Sequence, residues 1–353
     1  MKPQQLNVLA GAVQYNCHIS DARHGADYSL CIYLMKMREY YRWEQRLPFG
    51  VALSKDAVGD WLQAREQLWE ELEHAEFAPL PIDGHDYDPY DAEAINRALA
   101  PQGLVYSSGL GNSAKSHFFL GDLERYGQNG DCSVYVASSE YARDLAAPPA
   151  MTRGSTIFVR RESLGRMLWE KLEGWRWNRP DNALGRAFAC YEFDDDMEGS
   201  LAAMTDREID NALLHEQGEF YAGQILGDEA WNSMLLDLSQ TPAEIMARSV
   251  RDHLADCLIT LSRIIAKLGE DGEAAALHFY AGNLTHMRKE IFPGLMQAYD
   301  IWRLDGDSVP LREIADRGSR HWQRVGLEMI RFHQRHGPEA ALKIRDYVDR
   351  SHL

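Results

Sequence analysis

The chain has no cysteine pair at C-x-x-C spacing, no long apolar run and no excess of basic charge, and each absence closes off a class of function. Its five cysteines, Cys17, Cys31, Cys132, Cys190 and Cys257, are scattered and odd in number. That pattern suits a reducing compartment and argues against disulfides or a four-cysteine zinc module. No window approaches the roughly 18 apolar residues of a membrane span, and the first residues, MKPQQLNVLAGAVQYN, lack the charged-then-apolar order of a signal peptide. A cytoplasmic protein without membrane contact is expected. Lys and Arg number 37 against 54 Asp and Glu, a formal charge of -17, and no basic stripe offers itself to phosphates, so nucleic acid is not an expected partner. Repeats, low-complexity tracts and sustained heptads are missing too, which removes solenoids and coiled coils.

What is present is a foldable chain of 353 residues, 45% hydrophobic, with nine Trp and sixteen Tyr, long enough for two domains. Apolar spacing predicts a helix over about 21–46, a second over 57–77 and a short one over 89–100. Between 103 and 160 the apolar runs are short, β-branched or aromatic, and bounded by Gly, Ser, Asn or Pro. Strands are expected at 103–107, 116–120, 132–138 and 155–160, followed by a helix over 162–177. The acidic run YEFDDDMEG reads as a boundary. After Thr205 everything reads as helix, with starts at Asp206, Asp228, Pro242, Glu270, Pro310 and Pro338 and a break near Pro293. The expected class is α+β: an N-terminal domain, 1–195, with a small β-sheet and a long buried helix, then an all-α helical bundle, 200–353.

Two groups of polar residues stand where the pattern calls for apolar ones. On a wheel advancing 100° per residue, His24, Asp27, Cys31, Arg38 and Arg42 of the expected helix 21–46 share a sector of about 60°. His18, Asp21 and His24 follow at i, i+3 and i+6. Imidazole and carboxylate are the ligand set of zinc and non-haem iron, and Cys17 adds a thiolate, so these four are the first candidate metal ligands. Asp27 or Glu39 then serves as proton donor or acceptor, and Arg38 or Arg42 anchors an anionic substrate group. Haem attachment at Cys17-His18 fails, because C-x-x-C-H needs a cysteine where Gln14 stands. The bland alternative is a helix cap and a network of buried hydrogen bonds.

The second group lies in the helical half. His215 and Glu219, Asp252 and Asp256, and His286 and Glu290 are each four apart and so neighbours on a helix face, while His253 also reaches Asp256 and His278 precedes His286 by two turns. Neither a zincin pair nor the ferritin-like Glu-x-x-His is present. Glu216, Glu219, Asp252, Asp256, His278 and His286 form the second candidate ligand set, against the plain reading of paired charges on solvated helix faces.

Signals elsewhere are weaker. The glycine-rich stretch Ser107–His117, with Gly109, Gly111, Asn112 and Lys115, departs from the P-loop and reads as a hairpin connection. Arg143, Arg153, Arg160 and Arg161 are expected to tie the domains together by pairing with Asp194 to Asp196. These features point to a metal-dependent oxidoreductase or hydrolase, holding iron or zinc and acting on a small polar or anionic molecule. The alternatives are a non-catalytic interaction or assembly protein, with room for a homo-oligomer, and a binding module for a small anion that uses the arginines without chemistry.

Overall fold

The computed structural model describes residues 1–111, 115–270 and 273–353, so Asn112 of the glycine-rich stretch lies outside the described residues. The class is α+β. Two compact units divide the chain, 1–170 with 197–205, and 171–196 with 206–353. The division expected at the acidic run differs in that residues 197–205 belong to the first unit. There a methyl group added at Gly165 would sit 3.4 Å from the Thr205 hydroxyl oxygen.

The first unit opens with helix α1 (Pro3–His24), which the apolar pattern had missed, followed by α2 (Leu30–Glu44) and α3 (Lys55–Leu72). On α1 Leu9 and Val13 are buried one turn apart, and from Asn16 to Asp21 every residue is buried. The helix expected over 21–46 is therefore two helices. Gly25–Asp27 forms a single 3-10 turn, and Ser29 adopts the extended backbone that starts α2. Only Met37, Glu39, Tyr40 and Arg42 of α2 are buried, while Leu30, Ile32, Leu34 and Met35 are exposed. With the turn between them, His24 and Asp27 do not continue the face of Cys31, Arg38 and Arg42.

A hairpin, β1 (Leu80–Ile82) and β2 (His85–Tyr87), and helix α4 (Ala92–Leu99) precede the sheet. The sheet comprises β3 (Leu104–Leu110), β4 (Ser116–Asn129), β5 (Cys132–Arg143), β6 (Ala150–Arg153) and β7 (Thr156–Arg160), in the order β3-β4-β5-β7-β6. β5 and β7 run parallel, the other neighbours antiparallel. β4 is far longer than its apolar start implied, and its pairing with β5 shifts register between Leu120 and Arg125, the mark of bulges that bend a strand. Leu9, Val13 and Cys17 pack in one core with Leu104, Phe118 and Leu120 of the sheet.

Helix α5 (Arg161–Arg176) passes from the first unit into the second, which continues with α6 (Ala183–Phe188). Helix α7 (Met197–Leu226) begins in the first unit and ends in the second. Next come α8 (Asp228–Asp237), α9 (Pro242–Ala255), a π-helical turn (Asp256–Thr260) and α10 (Leu261–Ala266). The chain ends with α11 (Glu273–Asn283), α12 (His286–Ile291), α13 (Pro293–Asp305), α14 (Val309–His336) and α15 (Ala341–Val348). Trp231, Phe292, Tyr299 and Trp322 anchor their common core. All five cysteines are free thiols. Among the described residues no helix is long and apolar enough to cross a membrane.

Candidate metal centre

Helices α7 and α9 approach each other unusually closely at Gly218. A side chain there would place its Cβ 2.4 Å from the Ala255 carbonyl oxygen, so only glycine permits the spacing. Immediately after Ala255 the helix widens into the π-helical turn, a distortion frequent at functional sites. Within one turn of this contact stand the polar residues of both helices.

His215 and Glu219 of α7 meet Asp252 of α9, and one ligand atom from each lies within 4.8 Å of the others. A metal held at about 2.1 Å by each ligand brings such atoms to about 4.2 Å apart or less, so small side-chain movements close the site. His215 Nδ1 donates to Asp256 Oδ1 at 2.8 Å. This leaves Nε2 for a metal and reproduces the carboxylate–histidine arrangement that orients ligating imidazoles. Asp256 in turn accepts from Arg288 of α12 through its other oxygen. Arg251 reaches Glu219 at 2.6 Å and Asp228 at 3.3 Å, and Glu219 Oε1 is buried with no hydrogen-bond partner among the described residues.

The electrostatics favour a further positive charge. Burial opposes charge on His215, yet Asp256, Asp252 and Glu219 outweigh it and raise the imidazole to about 10. Burial likewise pushes Glu219 up to about 7, with Asp252 adding to the effect and Arg251 opposing it. Asp256 is also buried, but Arg288 and His215 hold it well below the usual carboxylate range. Four carboxylates, Glu219, Asp228, Asp252 and Asp256, face two arginines here, and a proton on His215 or a cation beside it reduces the excess of negative charge. The side chains of His215, Glu219 and Asp252 remain 32%, 18% and 35% exposed, so small molecules reach them.

The other histidines of this unit go elsewhere. His253, fully buried, bonds the Arg288 carbonyl oxygen at 2.9 Å and stacks on Trp322. Burial, with Arg288 nearby, lowers it to about 3. His278 bonds the Tyr299 hydroxyl at 2.8 Å, and His286 is exposed, 3.8 Å from Glu290. Glu216 is half-buried beside His215 in sequence and outside the three-residue group. Of the second candidate set the structure brings Glu219 and Asp252 together, with Asp256 behind them. The imidazole is that of His215, already visible in sequence through its spacing to Glu219.

The first candidate set does not converge. Both ring nitrogens of His18 face Arg65, at 3.0 and 3.2 Å, and Trp69 Nε1 also approaches. Burial, with Arg65 alongside, lowers this imidazole to about 3. Asp21, wholly buried, accepts from the Leu145 amide and pairs with Lys115 at 3.0 Å. The Cys17 thiol donates to the Phe118 carbonyl, and burial raises it well above the ordinary range. His24 pairs with Asp27 at 3.0 Å near the surface. Glu39 is clamped by Arg38 at 2.7 Å and Arg42 at 3.0 Å, which leaves neither carboxylate nor guanidinium free for chemistry. Arg160 pairs with Glu140 and Arg161 with Glu124 inside the first unit, while Asp194 pairs with Arg176.

Comparison with known proteins gives a family and nothing further. Residues 8–160 match the N-terminal domain, and residues 165–351 the C-terminal domain, of a family of unknown function (DUF6866). No curated protein and no solved structure matches the chain.

Proposed function

We propose that this chain, which belongs to the DUF6866 family, is a metal-dependent enzyme acting on a small polar or anionic molecule, with its centre in the helical unit. The observation that carries the reading is the convergence of His215, Glu219 and Asp252, with Asp256 fixing the imidazole from behind. Three protein ligands leave coordination positions open, as catalytic sites do and closed structural sites do not. One imidazole and two carboxylates suit iron or zinc. Such a metal supplies Lewis acidity and an activated water when bound. Asp256 holds the proton on His215 Nδ1 and so keeps Nε2 available. Arg251, between Glu219 and Asp228, positions the Glu219 carboxylate beside the site. The free cysteines fit a cytoplasmic setting.

The test is elemental analysis of the chain purified without chelator and after anaerobic reconstitution with iron and with zinc. About one metal per chain is expected, lost in His215→Ala and in Asp252→Asn and retained in His18→Ala. Absence of metal after both reconstitutions overturns the reading. It would favour the interaction protein instead, for which the exposed Leu30, Ile32, Leu34 and Met35 of α2 offer a surface.

A further inference from the structure

The first unit carries a half-open pocket of about 550 Å3, walled by the end of α2 with the loop after it, β5, the start of α5 and the first turns of α7. Much of the wall is apolar, including Trp43, Leu47, Phe49, Met197 and Leu201. Five arginines, Arg42, Arg46, Arg143, Arg161 and Arg166, also reach it, against Glu39, Glu162 and Glu198. That excess of cations reverses the balance of a chain carrying -17.

The arginines are unequally matched. Arg42 is held by Glu39 at 3.0 Å and by the carbonyls of Pro48 and Val51, and Arg161 by Glu124 at 2.6 Å. Arg166 has Glu170 at 3.2 Å. Arg143 is only 1% exposed and has no carboxylate of its own. Glu140 stands 3.9 Å from it and is already gripped by Arg160 at 3.0 and 2.5 Å. The guanidinium lies 4.5 Å above the Trp43 ring. Its Nε, the Arg166 Nε and the Trp43 indole N–H are all buried without an acceptor among the described residues. Unmade hydrogen bonds of buried donors cost stability, and three on one wall call for an acceptor. Burial, with Arg166 alongside, pulls the Arg143 guanidinium down to about 9 against the opposing charges of Glu140 and Glu162. Helices α5 and α7 both begin on this wall and add the positive ends of their dipoles.

We propose that this cavity binds a small organic anion, a single carboxylate carried on an apolar body, with Arg143 and Arg166 meeting the charge and Trp43, Phe49 and Leu201 the body. One buried arginine without its own carboxylate suits a monoanion better than a phosphate dianion. The site lies wholly in the first unit, so it does not rest on the metal centre.

Calorimetric titration of the full chain with octanoate, 1-octanol and inorganic phosphate tests it. Octanoate should bind once per chain, with the alcohol and phosphate weaker by about tenfold or more. Arg143→Met should abolish binding. Arg46→Ala, at an exposed position, should weaken it several-fold, and Ala202→Trp, exposed on the wall, should block it by bulk with every arginine in place. The last two keep the test valid if Arg143→Met does not fold. His215→Ala should bind octanoate as the unaltered chain does. Equal binding of octanol would show that the arginines do not read charge, and equal binding of phosphate that the apolar wall is unused. Either result overturns the proposal, as does octanoate that fails to bind at millimolar concentration or binds Ala202→Trp unchanged.

Discussion

Asp256 carries two loads, orienting His215 through one oxygen and neutralising Arg288 through the other. Asp256→Asn removes the charge from both contacts. Breaking one side of a buried ion pair costs about 3–5 kcal/mol, and losing the carboxylate behind a ligating imidazole typically weakens metal affinity about 10- to 100-fold. The double variant Asp256→Asn/Arg288→Met should regain most of that stability, because no charge is left unpaired, and should not regain metal affinity. Urea denaturation and competitive chelator titration separate the two quantities. Recovery of both would make Asp256 a purely structural residue. The pairs behind this centre were legible in the sequence, since His215 with Glu219 and Asp252 with Asp256 need only helical spacing. Which pairs face each other was not legible, because spacing along one helix says nothing about the helix opposite. The same limit explains the first cluster, whose members are satisfied by Arg65, Lys115, Phe118 and Leu145, far away in sequence.

At the scale of elements, the centre depends on how closely α7 and α9 pack. Gly218→Ala would ordinarily favour a helix by about 1 kcal/mol, but here the new methyl meets the Ala255 carbonyl, which cannot rotate out of the way. The helices must separate. A net destabilisation of about 1–3 kcal/mol is expected, together with weaker metal binding, because His215 and Glu219 then recede from Asp252. Unchanged affinity would show that the ligands adapt independently of the helix spacing. The helical half was read well from its Pro and Gly punctuation. The N-terminal half was read less well. The stretch 3–20 mixes apolar and polar residues on the buried face of α1, including Asn16 and Ser20, which hides its helical period. The break at Gly25–Asp27 is a single 3-10 turn inside a continuous-looking apolar pattern.

For the whole molecule, the composition and the order of strand-like and helix-like segments were enough for the α+β class, whereas the course of α5 and α7 across the two units depends on packing and had no local signal. Packing also sets the response to pH, through buried groups of opposite kind. His18 and His253 stay neutral in the fold down to about 3. In the unfolded chain each takes up a proton near pH 6.5. The unfolded state therefore binds more protons between those values, and stability rises with pH across that window. Glu208 behaves oppositely. Burial raises it to about 8, so the folded state keeps a proton that the unfolded chain releases near 4.5, and stability falls as pH climbs from there to about 8. His215, raised to about 10, adds a second loss once the unfolded imidazole deprotonates above about 6.5. Each group contributes up to about 1.4 kcal/mol per pH unit within its window. Unfolding free energy measured in chelator should therefore decline most steeply from about pH 6.5 to pH 8, where the fold keeps protons on Glu208 and His215 that the unfolded chain has released. Glu208→Gln cannot titrate, so its decline over that last interval should be smaller by about 2 kcal/mol, with His215 and, up to about 7, Glu219 responsible for the rest. A variant that loses stability with the slope of the unaltered chain would mean that Glu208 is already ionised in the fold. Saturating zinc should flatten the remaining decline, because a metal on Nε2 takes the place of the proton whose release drives it.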